Sequence, residues 1–211
     1  MQKVYFISGL GADKRAFSLL DLSFCEPVFV DWISPSKNES LQNYALRLRQ
    51  QIKDEHPVVV GVSFGGMLAC EMAKADSKMK AIIISSSKSA DEFPIYLRIA
   101  KYFPLYKWLP GKLLKNRKLN WLLGAKGEEQ KKLIRTILSD ADPAFLKWAV
   151  WAILNWKEKI VPTNVKHIHG TADKLLLFRY VKADFKIRGG THLMSINRPD
   201  EVANLLKQLI Q

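Results

Sequence analysis

Short runs of Val, Ile and Phe alternate with helical stripes along most of the 211-residue chain. The runs predict strands at Lys3–Ser8, Pro27–Trp32, Pro57–Val62, Met79–Ser85, Val165–His169 and Asp184–Arg188. Between the second and third, SLQNYALRLRQQIKD sets Leu41, Tyr44, Ala45, Leu48 and Ile52 at helical spacing, with Ser40 as a natural N-cap. The closing segment RPDEVANLLKQLIQ carries one apolar stripe through Val202, Leu205, Leu206 and Leu209. This alternation predicts an α/β fold with a mostly parallel six-stranded sheet flanked by helices. From Asp91 to Ile160 it stops, and the chain becomes helical, aromatic and punctuated by proline. Five of the six tryptophans lie there: Trp108, Trp121, Trp148, Trp151 and Trp156. The pattern predicts a helical insertion, residues 91–160, in a core made of residues 1–90 and 161–211.

Composition narrows the classes. The 48% apolar and 25% charged fractions suit a folded globular domain rather than a disordered one. No apolar run reaches the roughly 18 residues a membrane span needs. The N-terminus opens directly into VYFISGLG, a core strand rather than a signal peptide. Cys25 and Cys70 form neither a disulfide framework nor a zinc spacing, so a reducing, cytoplasmic setting is expected. The net charge of +13 raises nucleic acid, anionic membrane and anionic substrates as partners, but no nucleic-acid motif accompanies it. Seven Lys or Arg and no Asp or Glu fall between Arg98 and Leu123, interleaved with aromatics. A solvated basic face over packed aromatics is the plainer reading. Aromatics such as Trp108 and Trp121 lining an apolar acyl pocket, with weak contact to an anionic surface, is the functional one.

The chemistry concentrates at Gly61-Val62-Ser63-Phe64-Gly65, a G-x-S-x-G corner between an apolar strand and an amphipathic helix. Side chains two positions either side of such a serine would collide with neighbouring backbone, which is why glycine flanks it. At the helix N-terminus, free N–H groups and the helix dipole are aimed at any oxyanion formed there. HIHGTADKLLL places Asp173 just after a predicted strand, and FKIRGGTHLM places His192 after the next. The order serine, acid, histidine suits a nucleophile, an orienting carboxylate and a general base. His56 reads as a solvated turn residue, and His167 and His169 as hydrogen-bonded packing residues on their strand. In SGLGADKRAF, Gly9 and Gly11 allow a tight turn that frees the Leu10 N–H to face Ser63, with the Phe64 N–H as second donor; a generic glycine-rich loop is the alternative.

Taken in order, SGLGADKRAF, GVSFGG, HGTADKLL and GGTHLM resemble the oxyanion loop, elbow, acid loop and histidine loop of the α/β-hydrolase superfamily, its small esterase-like members in particular. The resemblance spans nearly the whole chain. It implies a sheet lacking the N-terminal strands of larger members, a helical cap at the 91–160 insertion, and catalysis by Ser63, His192 and Asp173. It also offers Asp91 as the alternative acid. Where the family usually opens its oxyanion loop His-Gly, this chain has Ser8-Gly9. The implied reaction is hydrolysis of a small ester or thioester with an apolar acyl part, needing no cofactor or metal, by a monomer or homodimer. The alternatives are a carbon–carbon lyase or synthase of the same fold, and a ligand-binding receptor or degenerate hydrolase.

Overall fold

The computed structural model describes residues 1–100, 102 and 117–211. Six strands form one sheet: β1 (Lys3–Ile7), β2 (Glu26–Phe29), β3 (Val58–Val62), β4 (Lys80–Ile84), β5 (Val165–Gly170) and β6 (Phe185–Ile187). Their spatial order is β2-β1-β3-β4-β5-β6, and every neighbouring pair is parallel. All five residues of β3 are buried. That is the reason its sequence reads as one apolar run: a central parallel strand is covered on both faces. β2 and β6 are the edges, and Pro27 sits in β2, where a missing N–H costs no ladder bond on the open side. β2 is shorter than predicted, ending at Phe29 rather than Trp32.

Strand alternation divides the core in two. Tyr5, Ile7, Val59 and Ile83 face one side, and Val4, Phe6, Val60 and Ile82 the other. On the first side lie α1 (Leu41–Leu48), α2 (Phe64–Ala75) and α6 (Pro143–Asn155). The Ser40 hydroxyl caps α1 by accepting the Asn43 N–H at 3.2 Å, and the helix buries Leu41, Tyr44, Ala45 and Leu48 as its spacing predicts. On the second side the C-terminal helix α8 (Pro199–Ile210) buries Val202, Leu206 and Ile210, together with Phe17 from the turn after β1. A short helix, α7 (Met194–Asn197), leads into α8.

Between β4 and β5 the described residues hold α3 (Ile95–Ala100), α4 (Arg117–Leu123), α5 (Gly127–Asp140) and α6. α6 begins with Asp142, whose side chain accepts the Ala144 N–H at 2.8 Å, followed by Pro143 in the first turn. Its Phe145, Ala149 and Ala152, with Trp156 directly after its last residue, enter the same core as α1 and α2. The indole N–H of Trp148 donates to Glu39 O at 2.9 Å, and that of Trp156 to the buried Glu71 carboxylate at 2.6 Å. The last helix before β5 is therefore fixed to the sheet domain. Among the described residues, no helix is long and apolar enough to cross a membrane.

Candidate active site

The carboxyl ends of β3, β5 and β6 deliver the chemistry to one place. Ser63 follows β3 directly with φ 52° and ψ −116°, a conformation that costs a non-glycine residue roughly 1–3 kcal/mol and persists only when its surroundings dictate it. Here they do. The Ser63 N–H donates to Ile84 O at 2.9 Å, and the Ser86 hydroxyl donates to Ser63 O at 2.7 Å. A Cβ on Gly61 would run into the backbone of Gly65 and Gly66, and one on Gly65 into the carbonyl oxygens of Ile7 and Ser8. The glycines allow strand, corner and helix to close on one another with no side chain between.

Asp173 lies in the loop after β5 and His192 in the loop after β6. His192 Nδ1 is 2.8 Å from Asp173 Oδ2, and its Nε2 is 2.9 Å from Ser63 Oγ. An ionised carboxylate only accepts, so Nδ1 carries the proton and Nε2 is left to accept from the serine hydroxyl. The other carboxylate oxygen, Asp173 Oδ1, accepts the N–H groups of Leu175 and Leu176 at 2.8 and 2.9 Å. Burial pushes the Asp173 carboxyl up. The charge and hydrogen bond of His192, the charge of His169 and the Leu176 N–H outweigh it, holding the group below the usual carboxylate range. Asp91 sits elsewhere, in the turn Ala90–Glu92, where its carbonyl accepts from the Arg98 guanidinium. Of the two candidate acids, Asp173 is the one bonded to His192.

His167 and His169 form a buried pair behind this line. His169 Nε2 is 2.7 Å from Leu176 O, a carbonyl that can only accept, so Nε2 is protonated and Nδ1 accepts from His167 Nε2 at 3.1 Å. The protonated Nε2 also lies 3.6 Å from Asp173 Oδ2. Burial lowers both histidines from their ordinary pKa, His167 well below it, so the pair is neutral at pH 7. His167 Nδ1 is buried with no hydrogen-bond partner among the described residues.

The loop after β1 turns beside Ser63. A Cβ built on Gly9 would lie 3.5 Å from Ser63 Cβ, and the turn closes with Ala12 N donating to Gly9 O at 2.9 Å. Within it, the Leu10 N–H donates to no described residue. The Phe64 N–H opens α2 and has no carbonyl a turn earlier to bond. Two donors converge on the far end of the turn: Ser8 Oγ at 2.7 Å and Trp32 Nε1 at 2.6 Å, both on Ala12 O. The Ser8 hydroxyl makes its contact where the family has histidine, one of the two outcomes that Ser8-Gly9 allows, whereas nothing in the sequence points to Trp32.

Over Ser63 and His192 lies a cavity of about 280 Å³. Its walls come from Leu10, Phe64 and Met67 of the core, Leu97 of α3, Leu123 of α4, Ile134 and Leu138 of α5, and Leu146, Val150 and Leu154 of α6. Trp121, expected as a lining aromatic, is 63% exposed and lies under the Lys174 ammonium, 3.8 Å from its ring centroid; it does not line the cavity. Trp108 lies outside the described residues. No three His, Cys, Asp or Glu side chains are gathered into a metal-holding group among the described residues.

A family model described as "Alpha/beta hydrolase family" matches residues 4–205. The chain belongs to the alpha/beta hydrolase family. No curated protein sequence matches the hydrolase. Its fold is similar to that of the enol-lactonase from Burkholderia xenovorans LB400, with a TM-score of 0.80 at 12% identity, over 99% of this chain and 91% of that one. An esterase from Exiguobacterium antarcticum superposes with a TM-score of 0.73 at 12% identity, over 100% and 92% of the two chains. The meta-cleavage product hydrolase from Pseudomonas fluorescens IP01 gives 0.68 at 15% identity, over 100% and 90%. At these identities the likeness is one of fold.

Proposed function

We propose that this hydrolase cleaves a carboxylic ester, or the equivalent thioester, with Ser63 as nucleophile, His192 as general base and acid, and Asp173 as the orienting carboxylate. The observation that carries it is the unbroken line Ser63 Oγ, His192 Nε2 and Nδ1, Asp173 Oδ2, at 2.9 and 2.8 Å, facing an apolar cavity. Ser63 Oγ attacks the carbonyl carbon and its proton passes to His192 Nε2. The tetrahedral oxyanion is met by the N–H groups of Leu10 and Phe64. Collapse breaks the bond to the leaving group, which takes the proton from His192 and departs as an alcohol or thiol. Water then attacks the acyl-Ser63 carbonyl and gives one proton to His192. The second collapse returns that proton to Ser63 Oγ and frees the carboxylic acid. Asp173 stays ionised throughout, its negative charge stabilising the imidazolium that forms twice per cycle. Residues 91–160 act as the cap that covers this chemistry.

A carbon–carbon lyase or synthase would need a polar or cationic group opposite Ser63, and no charged side chain lines the cavity among the described residues. Acyl transfer needs only what is already there. The test is fluorophosphonate labelling with hydrolysis of p-nitrophenyl esters: the parent is labelled at Ser63 and turns over, and Ser63→Ala loses both while unfolding in urea like the parent. Turnover retained in Ser63→Ala overturns the assignment.

A further inference from the structure

We infer that His169 is a positioning residue for the triad: its Nε2–H, donated to Leu176 O at 2.7 Å, closes the loop that aims the Asp173 carboxylate at His192. The inference rests on the serine-hydrolase reading above and adds a residue to that site.

The acid loop runs from the end of β5 at Gly170 to Leu176, and its two halves are held differently. The first half is tied to the strand end beside it: Thr171 N donates to Ile187 O at 3.0 Å and Ala172 N to Gly190 O at 2.9 Å. The second half is gripped by side chains. Asp173 Oδ1 accepts the N–H groups of Leu175 and Leu176 at 2.8 and 2.9 Å, and from the exposed side the Tyr96 hydroxyl donates to Leu175 O. From within the protein the hold is His169. Leu176 thus carries both an N–H that the Asp173 carboxylate accepts and the carbonyl that His169 fixes.

His169 can donate in one tautomer only. Burial keeps it neutral at pH 7, with a single N–H. A proton on Nδ1 would set the bare Nε2 and the Leu176 carbonyl lone pair to lone pair, 2.7 Å apart. A proton on Nε2 leaves Nδ1 in need of a donor, and His167 Nε2 supplies it at 3.1 Å. The ring is fully buried and lies against that of Phe178, with centroids 6.3 Å apart. Its N–H edge also faces Asp173 Oδ2 at 3.6 Å, too long for a hydrogen bond but close enough for its partial positive charge to favour the ionised carboxylate. A hydrocarbon side chain would meet the packing needs of this strand position. The N–H is what an imidazole adds.

The experiment compares the parent with His169→Phe and His169→Gln, each also made in an Asp173→Asn background. NMR of nitrogen-labelled histidine reads the tautomers and the His192 Nδ1–H resonance, assigned by its loss in His192→Ala, and p-nitrophenyl acetate gives kcat and KM. Expected in the parent is His169 protonated at Nε2. His169→Phe lowers kcat about three- to tenfold, the worth of one hydrogen bond, with KM within about twofold and the His192 resonance shifted. His169→Gln, whose amide nitrogen reaches the place of Nε2, restores kcat to within about twofold of the parent and the resonance with it. With Asp173→Asn the carboxylate to be positioned is gone, and His169→Phe then changes the rate of fluorophosphonate labelling of Ser63 by less than about twofold. Should His169→Phe not fold, His169→Asn takes its place, since its shorter side chain stops short of Leu176 O. His169 protonated at Nδ1, a folded His169→Phe with parental kcat and an unmoved His192 resonance, or His169→Gln as slow as His169→Phe overturns the inference. So does an equal loss of labelling rate with and without the Asp173 carboxylate. Parent protein that is neither labelled nor active overturns the serine-hydrolase reading instead, and the His192 resonance, which needs no turnover, still decides whether His169 positions Asp173.

Discussion

The convergence of Ser8 and Trp32 on one carbonyl predicts a cooperative loss of oxyanion stabilisation. Ala12 O accepts from Ser8 Oγ at 2.7 Å and from Trp32 Nε1 at 2.6 Å, and Ala12 N closes the turn that holds Leu10. Ser8→Ala removes one donor, and Trp32→Phe removes the other while keeping an aromatic ring against Phe64 and Phe145, which stand 5.8 and 5.0 Å away. Either single variant leaves the carbonyl with a partner, so each costs about 0.5–1.5 kcal/mol of stability. The double variant leaves a partly buried acceptor with none, adding about 1 kcal/mol beyond the sum of the singles. In rate, complete loss of one oxyanion donor is worth about 10²–10³, which bounds the effect from above. A turn that relaxes without unfolding loses part of this: a few-fold in each single variant and some tens-fold in the double. The loss falls on kcat, because the donor acts on the oxyanion rather than on the bound ester. Steady-state hydrolysis of a p-nitrophenyl ester and urea unfolding of the four proteins complete the cycle. A double variant within twofold of the parent kcat, or a kcat loss that is simply the product of the singles, would refute the reasoning.

The buried histidine pair sets an acid limit on stability. Both His167 and His169 have folded pKa values lowered from 6.5, so below pH 6.5 the unfolded chain binds more protons than the folded one. Stability therefore falls as pH drops below about 6.5, by up to about 1.4 kcal/mol per pH unit for each histidine; urea midpoints that stay level from pH 7 to 5 would contradict this. Asp173 adds its loss lower down: with a depressed folded pKa, its contribution is complete above about pH 4 and disappears as pH falls through the folded value. Gly65→Ala places a methyl against the carbonyls of Ile7 and Ser8, which are backbone of the central sheet, so the variant is expected to yield no folded protein or no activity; a folded, active Gly65→Ala would refute the steric account of the elbow. Phe145→Ala opens a hole among the rings of Trp32, Tyr44, Phe64 and Trp148 and costs about 3–5 kcal/mol in urea unfolding, with a loss below 1 kcal/mol arguing that α6 is not part of the core.

What could be read from sequence and what could not divide along a physical line. β3 was legible because a strand buried on both faces has no room for a polar residue, and Ser63 because a corner this tight writes Gly61 and Gly65 into the chain. Asp173 and His192 were legible as positions after strands, since a parallel sheet gathers its strand ends on one side. The Ser8–Trp32 contact was not, because each residue is unremarkable in its own segment and the two meet only through Ala12, once β1 and the segment after β2 lie side by side. The cavity over Ser63 was hidden for a different reason. α6 is apolar nearly all round, and helical periodicity cannot tell a face that meets the core from one that meets a cavity. Of the two readings the tryptophans offered, packing against the core is the one Trp148 and Trp156 follow. An indole needs an acceptor for its N–H when it is buried. Glu39 O and the Glu71 carboxylate supply acceptors on the core side of α6, where Trp148 and Trp156 are found, whereas the described lining of the cavity is almost wholly hydrocarbon. Trp148 and Trp156 therefore stand at the joint between α6 and the sheet, and the described insertion residues that line the space over Ser63 are leucine, isoleucine and valine. Those two tryptophans report how α6 is anchored, and the aliphatic residues of the described insertion report what it encloses.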